Sequence, residues 1–386
     1  MSEDWARVDL ERRKHNQGEK WRLYPPDVLP VWVADMDFDV APPIRAALAD
    51  ALDRSDWGYP VDPARCGIAE AYCERMASHF DFEPDPSQVE LLCVVVLGIY
   101  IALLQLTEAG DGVLVQTPIY PPFLQALRET GRRLVEIPLT EESDAYGLDL
   151  AAIRAACDSS TRVLLFCNPH NPAGRVFTRA ELEGLAELVL ERDLIVLSDE
   201  IHADLVFKGH RHIPFASLSP EVAARTVTFY SASKAFNVAG LRCAVAAFGD
   251  SALQERFRAL PHHVRGGLSQ PGILATRAAW GEGEPWLAHI LGVLEENRDY
   301  VVAEIPAALP GATLYSPEAT YLAWIDCRKM GLSKSAYQHF LERARVAFGK
   351  GEAFGTPGRD FVRLNFATSR EILAEVIRRC ADSLQG

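Results

Sequence analysis

Apolar and polar positions alternate along this chain in two registers. Short, mainly apolar runs occur at 91–96, 112–116, 133–137, 163–167, 194–198, 227–230 and 243–248. Each has strand length and ends at a polar or glycine-containing turn, so each predicts a buried β-strand. Between them lie longer stretches with apolar residues every three or four positions, predicting helices from Gly98 to about 108, over 122–129 and over 178–191. In the last of these Thr178 is placed to cap the helix, with Glu181 three residues on as its capping-box partner. Fully apolar strands separated by helices predict an α/β fold with a mainly parallel, seven-stranded sheet covered on both faces. From about residue 271 the pattern changes to a long helix over 285–307, a strand at 321–325, a helix at 333–345, a strand at 362–366 and a last helix from Ser369. That order predicts a smaller α+β domain. The expected division is therefore 46–270 as the large domain and 271–386 as the small one, with segment 1–45, too short to fold alone, joining the latter.

Composition narrows the function classes. The chain has 386 residues, of which 48% are apolar and 24% charged, as in ordinary globular proteins. Its net charge of −14 makes a nucleic-acid partner a poor fit, because phosphate backbones are bound by basic surfaces. The longest apolar stretch, 91–104, is too short to span a bilayer and is interrupted by Gly98. The charged start, MSEDWARVDLERRK, predicts no secretory leader. Eight scattered cysteines form no CxxC pair and read as small buried apolar residues in a reducing cytoplasm. No GxGxxG, GxxxxGK[ST], HExxH or GxSxG is present, so dinucleotide, P-loop, zincin and α/β-hydrolase chemistry lack support.

Chemistry-bearing residues cluster just past the apolar strands. VLLFC runs into Asn168, His170 and Asn171; LIVLS into Asp199, Glu200 and His202; VTFY into Ser231, Ser233 and Lys234; and VRLNF carries Arg363 and Asn365. In open α/β sheets, functional groups gather at the carboxyl ends of strands. A lysine there is unusual, since lysine is rarely buried unless it is paired or reacts, and with a lowered pKa it forms Schiff bases. The carboxylates and hydroxyls around it suit a cofactor with an aldehyde and a phosphate. Each residue also has a plainer explanation: a surface lysine, an N-cap aspartate, an Asn-Pro turn, a tyrosine anchoring a loop, a solvent-facing arginine.

Together these stretches resemble the fold-type I pyridoxal-phosphate enzymes of the aminotransferase class I/II superfamily, and within it the cystathionine β-lyase (C–S lyase) branch. The resemblance is carried by VLPVWVADMDF, WGYP, QTPIYPPF, NPHNPAGRVF, SDEIHADLVF, SASKAFNVAGLRC, PEATYLAWID and RLNFA, spanning 28–367. It implies that Lys234 carries pyridoxal 5′-phosphate as a Schiff base and later moves the Cα proton. Asp199 would pair with the pyridine nitrogen, Asn171 and His202 would approach the 3′ oxygen, and Tyr120 would stack on the ring. Ser231, Ser233, Arg242 and the backbone of Gly98, Ile99 and Tyr100 would hold the phosphate, Tyr100 standing where a smaller residue is common. Tyr59 would reach the phosphate of a partner subunit, implying a homodimer with a shared site. Arg363 would clamp the substrate carboxylate, aided by Asn171 and by the backbone at Ala34 and Asp35. Asp35 and Asp37 read as structural rather than as an acid/base pair. The aspartate aminotransferases usually carry a tyrosine where this chain has His202, which favours β-elimination from a cysteine S-conjugate. An aminotransferase, a natural-product pathway enzyme acting on a large S-cysteine conjugate, and an added regulatory binding role remain open. Specificity is expected in the loops 24–39, 98–100 and 262–270. No metal is expected: neither His210 and His212 nor the adjacent His262 and His263 have a convincing ligand spacing.

Overall fold

The computed structural model describes residues 5–261 and 263–385. His262, one of the adjacent histidine pair, lies outside the described residues.

A seven-stranded sheet forms the larger layer. In chain order its strands are β2 (Val89–Leu92), β3 (Gly112–Thr117), β4 (Arg133–Pro138), β5 (Thr161–Cys167), β6 (Ile195–Asp199), β7 (Thr226–Tyr230) and β8 (Ala244–Phe248), which follow β1 (Leu29–Val31) of a second sheet. The spatial order is β2-β8-β7-β6-β5-β3-β4. Only β8 runs antiparallel to its neighbours. Every residue of β3, β7 and β8 is buried, which is why these strands read as unbroken apolar runs. The helix Arg179–Glu191 starts at the predicted capping box: Glu181 N–H donates to Thr178 Oγ1 at 3.3 Å, and Thr178 N–H donates to Glu181 Oε2 at 2.7 Å.

The second sheet has the order β1-β10-β11-β9, formed by β9 (Leu322–Asp326), β10 (Val346–Lys350) and β11 (Phe361–Asn365). β1 pairs in parallel with β10, so the chain emerging from β1 at Trp32 runs directly beside β11 and Arg363.

Two sequence expectations are corrected. The apolar run 91–96 is not one strand: β2 ends at Leu92, and the helix Val95–Leu106 begins three residues before the predicted start at Gly98. A run that is apolar at every position carries no periodicity that separates strand from helix. A Cβ at Gly98 would lie 2.5 Å from Leu92 Cδ1 and 2.7 Å from the Phe229 ring, so glycine lets this helix lie close on the sheet. The helix expected over 333–345 is only Ala336–His339, followed by a π-turn Phe340–Ala344. Arg345 then turns left-handed into the unpredicted strand β10.

Candidate active site

The parallel register aligns the carboxyl ends of three central strands. Cys167 pairs with Asp199, and Asp199 with Phe229, so Asp199 sits mid-sheet and Lys234 lies just beyond β7. Asp199 is 4% exposed and accepts from Ile201 N–H at 3.2 Å. Burial, reinforced by the charge of Glu200, pushes its carboxyl up to about 7; Lys234 works in the other direction. Among the described residues no carboxylate lies within ion-pair distance of Lys234. Its Nζ donates to the Ala34 carbonyl at 2.8 Å, and burial lowers its pKa.

Arg363 enters from β11. Its guanidinium donates to Asn171 Oδ1 at 3.0 Å and to the Trp32 carbonyl at 2.8 Å, lies 4.9 Å over the Phe354 ring, and keeps a buried Nε without a partner. Burial lowers its pKa to about 10, which leaves it cationic at neutral pH. His202 is buried, its Nδ1 unpartnered, and burial with the nearby charges of Lys234 and Arg363 lowers its pKa to about 3. It is therefore neutral, with one N–H to offer. Tyr120 caps the helix Pro121–Glu129, with its ring edge-on to Phe123. Ser231 Oγ lies 2.6 Å from Ser233 Oγ and donates to the Cys243 carbonyl.

Segment 32–37, the continuation of β1, crosses this cluster as a strap. Arg363 holds the Trp32 carbonyl, Asn365 those of Val33 and Asp35, and Tyr321 joins Lys234 on that of Ala34. Direct hydrogen bonds thus tie Lys234 to Ala34, and Arg363 to Asn171 and Trp32, while the Lys234 charge is near enough to lower the pKa of both Asp199 and His202.

Other expected residues are placed differently. Gly98 N–H already donates to the Val94 carbonyl, at 3.4 Å. The uncommitted donors of that helix are those of Val95, Val96 and Leu97, one turn before the expected Gly98, Ile99 and Tyr100. Ile99 is in the core, and the Tyr100 hydroxyl donates to Glu129 at the surface, so Tyr100 does not reshape the site from within this chain. Tyr59 and Arg242 are exposed and make no hydrogen bond or ion pair among the described residues. Lys20, Tyr321, Asn237 and Phe354 were not singled out in the sequence, although all four hold the strap or Arg363. A buried lysine on a short polar helix has no signature that separates it from a surface one.

The donor set suits a pyridine aldehyde phosphate. Among the described residues the buried carboxylate with a raised pKa has no ion-pair partner, the neutral imidazole has an unpartnered nitrogen, and the amine is held by a carbonyl alone. A protonated ring nitrogen, a ring oxygen and an aldehyde would satisfy these three. Among the described residues no group of three or more His, Cys, Asp or Glu could hold a metal.

A mainly parallel sheet with an amine and a carboxylate at its carboxyl edge, faced by an arginine from a second sheet, defines a class of cofactor-dependent amino-acid enzymes. The chain belongs to the aminotransferase class I and II family, whose model matches residues 65–379. It is 36% identical to cystathionine beta-lyase of Corynebacterium glutamicum, covering 97% of this chain and 99% of that one. It is also 36% identical to cystathionine beta-lyase PatB of Bacillus subtilis, covering 97% and 98%. Cystalysin of Treponema denticola, whose crystal structure contains pyridoxal 5′-phosphate, superposes with a TM-score of 0.94 at 29% identity over 100% of this chain and 99% of that one.

The raised pKa of Asp199 predicts a pH effect. Without cofactor, folded Asp199 holds its proton up to about pH 7, whereas the unfolded carboxyl loses it near pH 4. The folded state binds more protons between these values, so stability falls as pH rises through that window. Apoprotein melting curves from pH 4.5 to 7.5 are expected to show this decline, and Asp199→Asn apoprotein to lack that part of it. Parallel profiles would refute the assignment.

Proposed function

We propose that this protein is a pyridoxal 5′-phosphate-dependent carbon–sulfur β-lyase, converting cystathionine or another cysteine S-conjugate to a thiol, pyruvate and ammonia. The observation that carries the proposal is the Lys234 amine, held by the strap between the buried carboxylate of Asp199 and the Arg363 cation. The curated relatives above bear the same activity in their names.

Lys234, Asp199, Asn171, His202, Tyr120, Ser231 and Ser233 would hold the cofactor, with Arg242 and the first turn of helix Val95–Leu106 at its phosphate. When bound, pyridoxal phosphate supplies an aldehyde for the substrate amine and an electron sink for the bond-breaking at Cα. The protein's own residues do the rest. Arg363 turns its two donors to the substrate carboxylate and fixes the Cα–H bond toward Lys234. Lys234, its pKa lowered by burial, is a free base over more of the neutral range than a surface lysine, and takes the Cα proton. Asp199 keeps a negative charge against the ring nitrogen. Neutral His202 donates without adding positive charge. The strap at Ala34 and Asp35 excludes water from the reacting carbon while the thiolate leaves from Cβ.

A second copy of the chain completes the site in this proposal. Leu52, Trp57, Tyr59 and Val61 are exposed large apolar side chains within ten residues, which would pack on the partner and bring Tyr59 to its phosphate. No helix among the described residues is long and apolar enough to cross a membrane. The free cysteines support a reducing, cytoplasmic setting.

The test is to incubate the holoenzyme with L-cystathionine and with an S-alkylcysteine, with and without an added 2-oxo acid. Pyruvate, ammonia and thiol in equal amounts, independent of the 2-oxo acid, are expected. Amino-group transfer to the 2-oxo acid with no ammonia would make the protein an aminotransferase instead.

A further inference from the structure

The strap is held from both sides, and the two sets of bonds have different fates during the reaction. On the site side, Arg363 holds Trp32 and Lys234 holds Ala34. Both side chains are needed elsewhere in the working enzyme: Lys234 at the cofactor and then at the Cα proton, Arg363 at the substrate carboxylate. Two bonds on the strap are therefore released when it must be best placed, leaving on that side those of Asn365 to Val33 and Asp35 and of Tyr321 to Ala34.

The other side is not closely packed. A cavity of about 440 Å³ lies there, lined in part by Lys20, Trp21, Asp35, Met36, Asn237 and Gly240. What fixes the strap there is polar. Lys20, on the short helix Glu19–Arg22, is only 4% exposed. Its Nζ donates to the Asp35 carbonyl at 3.0 Å and lies 2.9 Å from Asp37 Oδ2. Asp37, 2% exposed, also accepts from Trp21 Nε1 at 3.0 Å. Asn237 brackets Met36, accepting from its N–H and donating to its carbonyl.

We infer that Lys20 is a positioning residue for the substrate-carboxylate site, its buried pair with Asp37 holding the strap in place when Arg363 and Lys234 let go. A pair placed only for stability would be an odd choice, because burying two charges roughly cancels their attraction. A pair that holds a backbone carbonyl on a segment facing a cavity has a geometric role that apolar residues could not fill. The inference rests on the part of the proposed function that places an amino-acid carboxylate under the strap, and not on the fate of the Cβ–S bond.

The test separates position from stability. The double variant Lys20→Met/Asp37→Asn leaves no unpaired buried charge and is expected to melt within a few degrees of wild type. Holoenzymes are titrated with L-alanine, which has no leaving group at Cβ, and with L-alaninamide, which lacks the carboxylate, following cofactor absorbance. The expected result is a Kd for L-alanine raised about tenfold, with that for the amide changed less than twofold. Trp21→Phe, which removes one hydrogen bond to Asp37 and keeps an aromatic ring, is expected to shift the same ratio by about two- to threefold, and decides the matter if the double variant does not fold. A wild-type ratio in the folded double variant, or in Trp21→Phe where only that variant folds, overturns the inference. A wild-type enzyme that does not distinguish alanine from its amide overturns it together with the carboxylate assignment.

Discussion

Lys234→Ala is expected to lower kcat/KM for pyruvate formation by about 10⁴-fold or more while leaving the apoprotein at least as stable as wild type. The two halves share one cause. In the proposed reaction Lys234 both anchors the aldehyde and moves the Cα proton, and a positioned acid/base group alone contributes up to about 10⁴-fold. In the fold, however, it contributes little. Among the described residues its Nζ makes one hydrogen bond, to a carbonyl that Tyr321 also holds at 2.9 Å, and burial lowers its pKa because the charged form is poorly solvated there. Removing such a group relieves desolvation at the cost of one shared bond, the usual signature of a residue kept for chemistry rather than stability. Calorimetry on apoprotein and pyruvate assays on holoprotein check the two halves. A variant keeping more than about a hundredth of wild-type activity would remove Lys234 from the reaction.

The central sheet was legible because most of its strands are buried on both faces and helices lie between them; Thr178 and Glu181 mark the start of one such helix in the sequence alone. Legibility failed where burial erased the pattern. The run from Val89 through Leu106 is apolar almost throughout, so nothing in it signals that strand gives way to helix at Val95. The missed strand β10 is short and its pairing is long-range, with β1 over three hundred residues away in the chain. For the site, residues at strand ends were readable from the resemblance and from chemistry. Those that hold them were not: Lys20, Tyr321 and Phe354 act through backbone carbonyls or a ring face, and neither leaves a motif. Tyr59 and Arg242 are a third case, readable in sequence yet unengaged in a single chain, since the contact proposed for Tyr59 belongs to a second copy.

Arg363→Lys is expected to cost about 10²-fold in kcat/KM, most of it in KM. The guanidinium bonds two acceptors at once, Asn171 Oδ1 and the Trp32 carbonyl, while its face rests on Phe354. That seat fixes the plane in which two parallel donors can meet a carboxylate. Lysine keeps the positive charge but offers a rounded ammonium on a flexible stem, and cannot stack or fork. Losing one charge-assisted hydrogen bond costs about 1.5–3 kcal/mol, or roughly 10- to 150-fold. The substrate carboxylate does not change its charge as the Cβ–S bond breaks, so the loss falls similarly on ground and transition states and appears in KM. Steady-state kinetics with L-cystathionine and with its derivative amidated at the carboxyl of the cysteine-derived half separates this from general disruption. Wild type is expected to handle the amide far worse than the acid, and Arg363→Lys to narrow that gap. If kcat alone falls and the gap between acid and amide stays as wide as in wild type, Arg363 does not bind the carboxylate, and the orientation of the substrate under the strap must be different.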